Sequence, residues 1–170
     1  APDRMLMDMG RVSTAELAEA VRSRELDGLP ETLAAAVVEA REVLDTTRDP
    51  QLSDIVLDRW CYRDMAALAE ETGSAFLRGY VAVQVDAVNL RTAVRTLRMG
   101  KGADFLLGAL LEGGDLAPDA VAKAASSGAA GLRELYGATR FRDAAEAGAE
   151  ALKGGPLTAF EKLCDDAVGD

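Results

Sequence analysis

The chain has 170 residues, 49% of them hydrophobic, with 29 acidic and 19 basic side chains and a formal charge of -10. That length can bury a real core and should hold one or two domains. The acidity argues against nucleic acid as a partner and leaves no basic patch for a membrane surface, although it could equally serve solubility alone. Histidine is absent, which removes zinc hydrolases, serine and cysteine triads and histidine phosphotransfer from consideration.

In chain order, Ala1 to Gly10 is a short lead-in with Met5, Leu6 and Met9 finishing a helix, and Gly10-Arg11-Val12 is a turn. Ser13 with Glu16 three residues on is a capping-box pattern, opening a helix whose buried side is Leu17, Ala18 and Val21. Pro30 introduces a helix from Glu31 to about Leu44, with Leu33, Val37, Ala40 and Leu44 in phase. Thr46 to Gln51 is a polar link. A helix from about Leu57 to Glu71 follows, and Thr72-Gly73-Ser74 breaks it, with Gly73 suited to the left-handed position and Ser74 to capping the next helix. That next helix runs from Ala75 to Met99, about 37 Å at 1.5 Å per residue. Leu57, Trp60, Cys61 and Leu68 on the first helix of this pair, and Phe76, Tyr80, Val83, Val94 and Leu97 on the second, give each an apolar side to bury.

Shorter helices are expected at Ala103 to Leu111, Pro118 to Ala125, Ala129 to Tyr136, Phe141 to Leu152 and from Leu157 onward, separated by glycine-rich breaks. No segment alternates as a strand does, so the class is all-α. Cys61 and Cys164 lack metal-ligand spacing and read as free, largely buried thiols of a reducing compartment. No uncharged run is long enough to span a bilayer. The start at Ala1 and the end at Asp170 lead us to expect a fragment of a longer protein.

The chain repeats itself. Leu57-Asp58-Arg59-Trp60-Cys61 matches Phe160-Glu161-Lys162-Leu163-Cys164 in character at an offset of 103, and Gly10 to Leu17 matches Gly114 to Val121 at an offset of 104. Two matches at nearly one offset point to a helical module of about 100 residues. The expected divisions are residues 1–50, ending one module and entering the next, residues 51–155, a central module, and residues 156–170, opening a third.

On the long helix Asp86 and Asn89 share a side, and Arg91, Arg95 and Arg98 form a neighbouring basic stripe. One reading is a solvated face whose arginines complement the helix dipole. The other is a network of Asp86, Asn89 and Arg95 where this helix crosses another, each buried member necessarily hydrogen-bonded. Neither reading pairs a nucleophile with a base. Glu70-Glu71 and Asp165-Asp166 read as solvated charge, and Gly73-Ser74 and Gly100-Lys101-Gly102 lack the spacing and preceding strand of a phosphate loop. Trp60 and Tyr62 are candidates for an aromatic contact site, but Trp60 falls in phase with the core.

Leu57-Asp58-x-Trp60-x-Tyr62, Gly73, Phe76-Leu77-x-x-Tyr80, Asp86-x-x-Asn89-Leu90, Arg95 and Gly100 together resemble the C subunit of the rotary V-type and A-type ATPases and ATP synthases, the equivalent of the eukaryotic V-ATPase d subunit. The likeness is densest over residues 50–102 and extends through Gly10 to Leu17 and its echo at Gly114 to Val121. Tyr62 stands one place later than the family's usual aromatic. Family members are about twice this length and carry a closing E-x-E-x-x-N-x-R helix that is absent from this sequence.

The resemblance implies a funnel of three similar helical-bundle modules about a pseudo-threefold axis, of which this chain would be the middle. It implies a non-catalytic rotor part on the cytoplasmic face of the membrane, peripheral to it, joining the central-stalk subunits to the membrane rotor ring in proton or sodium transport. It brings no metal or cofactor and no transmembrane segment of its own. Asp58, Trp60, Tyr62, Phe76, Tyr80, Asp86, Asn89 and Arg95 would be structural residues within a module. Two other readings stand beside it: an all-helical scaffold or adaptor unrelated to rotary ATPases, and a carboxylate-based helical enzyme, for which no DDxxD or paired ExxE motif is visible.

Overall fold

The computed structural model describes residues 14–169, so the expected helix end at Met5 to Met9, the turn at Gly10 to Val12 and the Ser13 cap lie outside the described residues. Those residues form nine α-helices and no strand, an all-α fold. They are α1 (Thr14–Ser23), α2 (Glu31–Thr47), α3 (Pro50–Thr72), α4 (Ala75–Arg98), α5 (Ala103–Ala109), α6 (Pro118–Ser126), α7 (Gly128–Tyr136), α8 (Arg142–Leu152) and α9 (Leu157–Gly169). The chain divides into two compact units between Val81 and Ala82, within α4.

In the first unit α1 packs on α2 and α2 on α3. Leu17, Ala20 and Val21 of α1, Leu33, Ala36, Val37 and Ala40 of α2, and Val56 and Leu57 of α3 form its core. Arg41 on α2 donates to the carbonyls of Val21 and Arg22 at 3.0 and 2.9 Å, closing off the end of α1. Helix α3 starts seven residues earlier than its apolar periodicity predicts. The Asp49 carboxylate accepts the Gln51 N–H at 2.9 Å, and Pro50 takes the first turn, where a missing N–H costs nothing. At its other end Gly73 adopts φ 67, the left-handed turn that favours glycine, and the Ser74 hydroxyl accepts the Leu77 N–H at 3.1 Å.

The second unit is built on the C-terminal part of α4. Ala87, Leu90, Ala93 and Val94 enter a core with Leu106, Val121, Leu132, Tyr136, Phe160 and Cys164. Small side chains let the helices approach closely. A Cβ at Gly148 of α8 would lie 2.9 Å from Val94 Cγ2 and 3.2 Å from Phe160 Cε1, so glycine there admits both neighbours.

The sequence repeat has structural counterparts. Helices α1 and α6 begin 104 residues apart, and at this offset buried Leu17 and Val21 correspond to buried Val121 and Ala125. Buried Leu57 of α3 corresponds to buried Phe160 of α9 at an offset of 103. The copies differ where α7 stands: at this offset it falls on residues 24–32, of which 24–30 contain no helix and 31–32 open α2.

Candidate functional site

After α5 the chain returns across α4 through residues 110–117, and two side chains of α4 hold it there. Asn89, fully buried, donates through Nδ2 to the Leu111 carbonyl at 2.9 Å and accepts the Leu111 N–H on Oδ1 at 2.9 Å. One turn earlier the Asp86 carboxylate, 5% exposed, accepts the N–H of Asp115 on Oδ2 at 3.1 Å and that of Leu116 on Oδ1 at 3.2 Å. The residue types follow from what each meets. A carboxamide carries one donor and one acceptor and matches a peptide C=O and N–H, whereas an ionised carboxylate only accepts and matches two N–H groups. Gly114 completes the fit, since a Cβ at that position would overlap the Asp86 carboxylate.

Burial pushes the Asp86 carboxyl above its ordinary range, the two backbone donors pull it back, and the neighbouring Asp115 charge adds to the rise. Tyr136, also buried, has its hydroxyl pushed up by burial and by the Asp86 charge. Burial likewise pushes the Cys164 thiol up to about 12. Both groups are therefore protonated near neutral pH, which is the opposite of what an activated nucleophile needs.

Further along α4, Arg91 pairs with Asp165 of α9 at 3.0 Å and Arg95 with Glu161 at 3.6 Å. Asp86, Asn89 and Arg95 thus all engage neighbouring segments, but as two separate attachments: the first two to the 111–116 segment and Arg95 to α9. Asp165, read from sequence as solvated charge, is indeed 73% exposed and also pairs with Arg91. Arg98 is exposed.

In the first unit Trp60 is half-buried, its indole N–H donating to the Glu39 carboxylate, while Arg59 approaches the same carboxylate at 3.9 Å. Tyr62 is half-buried and Asp58 is exposed. Phe76 and Tyr80 depart from expectation: they are 83% and 47% exposed instead of buried. The apolar period runs the length of α4, yet deep burial starts only at Val81.

Sequence reasoning missed Gly114, Leu111 and Arg59. Glu112-Gly113-Gly114 reads as a simple helix break, and only its position one helix after an Asp-x-x-Asn pair hints at more. A recess of about 240 Å³ opens beside Asp86. Among the described residues no cluster of histidine, cysteine, aspartate or glutamate is placed to hold a metal ion, and no helix is long and apolar enough to cross a membrane.

A sequence model of the ATP synthase (C/AC39) subunit family matches residues 2–169, almost the whole chain. The chain belongs to that family. No curated protein and no solved structure matches it. Membership of the C/AC39 family makes the chain a subunit of the V/A-type rotary ATPase kind.

Proposed function

We propose that this C/AC39 chain is part of the non-catalytic coupling element of a rotary ATPase, linking the central stalk to the membrane ion-translocating ring from the cytoplasmic face. The family match over residues 2–169 carries this reading. The packing gives it a physical basis. Transmitting torque requires a body that resists deformation and has several interfaces, and it requires no activated nucleophile. Helix α4 is attached to the rest of the second unit by four side chain–backbone hydrogen bonds and two ion pairs. The charge of -10 favours partners with basic stalk or ring surfaces.

The residues of the clasp act as internal structure in this reading: Asp86 and Asn89 fix the 111–116 segment, and Arg95 ties α4 to α9. Trp60 sets α3 on α2 through Glu39. The direct test is co-purification of the full-length subunit with its native membrane assembly. The subunit is expected in the intact complex, bridging stalk and ring. Recovery of a complete stalk-and-ring assembly that lacks it would overturn the reading.

A further inference from the structure

The recess beside the clasp is lined by the apolar residues Val83, Leu116 and Phe141, by Thr139, and by the charged residues Asp86, Asp115 and Arg140. At about 240 Å³ it falls below the roughly 300–1,000 Å³ of sites for drug-sized ligands and cofactors. Its scale is that of one long side chain. The charges do not cancel, since two carboxylates oppose one guanidinium. Among the described residues neither Asp86 nor Asp115 is in an ion pair, and Arg140 donates instead to the Ala167 carbonyl at 3.3 Å. Each Asp86 oxygen accepts one backbone N–H, which leaves each with further acceptor capacity.

We propose that this recess receives a single lysine or arginine side chain from a partner protein, its methylenes against Val83, Leu116 and Phe141 and its charged head at Asp86 and Asp115. Charge complementarity selects the occupant. A buried carboxylate without a cationic partner gains from an incoming cation, whereas an incoming carboxylate or phosphate would meet two negative charges. The apolar walls favour a cation on an alkyl stem over a bare metal ion. Arg140 allows one such head and opposes a second. The identity of the protein that supplies the side chain rests on the proposed coupling role; the preference of the recess for an alkyl cation does not.

The test is a titration of the isotope-labelled chain with n-butylguanidinium or n-butylammonium chloride, following the backbone amides of Leu111, Asp115 and Leu116 by NMR. Sodium chloride, n-butanol and sodium butyrate serve as controls at matched ionic strength. Saturable shifts are expected at Asp115 and Leu116 with both alkyl cations and with none of the controls, while Leu111 stays still. Asp115→Asn, on an exposed side chain, should weaken binding about two- to fivefold, the range for one exposed charge pair. Arg140→Gln should tighten it by a similar factor. No saturable shift with either cation, equal shifts with butanol or butyrate, or affinities unchanged in both variants would overturn the proposal. The titration needs no stalk or ring, so its failure is separate from any failure of the coupling role.

Discussion

The most consequential residue choice is carboxylate at 86 and carboxamide at 89. Exchanging either should fail although the shapes are alike. Asp86→Asn turns an NH2 group towards a backbone N–H, and Asn89→Asp sets a carboxylate against the Leu111 carbonyl. Each variant should lose about 1–3 kcal/mol of unfolding free energy, the penalty of a mismatched buried polar group, as read by urea denaturation at neutral pH. The pH dependence has a defined sign. The Asp86 carboxyl is raised in the folded protein, so this group favours folding most below its unfolded value, near 3.9. That contribution is lost as pH rises through the folded value. The stability of the parent relative to Asp86→Asn should therefore fall as pH is raised out of the acid range and then level off. A difference that rises with pH would contradict the assignment.

Gly114→Ala should cost about 1–3 kcal/mol, because the new methyl overlaps Asp86. Much of that cost should vanish in an Asp86→Ala background, which a double-mutant cycle would show. Sequence exposed one half of this contact and hid the other. An aspartate and an asparagine three apart on an apolar helix demand partners, whereas a glycine chosen for space looks like one chosen for a turn.

At the scale of elements, helix existence was legible and helix limits were less so. Apolar periodicity marks the part of α3 that faces the core, but the helix begins where Asp49 and Pro50 supply a start, seven residues upstream. Asp49→Ala should cost about 1 kcal/mol in thermal or urea unfolding, as removal of an N-cap does. Periodicity also overstates burial on α4. It treats Phe76 and Val94 alike, but Phe76 is 83% exposed and Val94 fully buried. Leu90→Ala should cost about 2–5 kcal/mol, and Phe76→Ser should stay within about 0.5 kcal/mol of the parent. A large loss at Phe76 would mean that its side chain is covered in solution. Of the repeated positions, Leu17 and Val121, Val21 and Ala125, and Leu57 and Phe160 are buried in both copies, whereas Cys61 is half-buried and Cys164 buried. Helix α7 departs from the repeat, because its counterpart around Asp27-Gly28 and Pro30 forms no helix before Glu31.

For the molecule as a whole, composition and periodicity gave the all-α class, and the motif of α4 pointed to the rotary ATPase family that the match over residues 2–169 shows. Composition says nothing about the occupant of the Asp86 recess, because a recess is made by residues from α4, the 110–117 segment and the turn before α8 that only folding assembles. The central claim is that this subunit transmits rotation without performing chemistry. The measurement that tests it most directly is the number of ions moved per ATP hydrolysed by the reconstituted membrane complex, with and without the full-length subunit. Coupling predicts that ion transport collapses on its removal while the soluble head continues to hydrolyse ATP, and that adding the subunit back restores transport. An unchanged ratio of ions to ATP in its absence, or loss of hydrolysis by the isolated head, would contradict it.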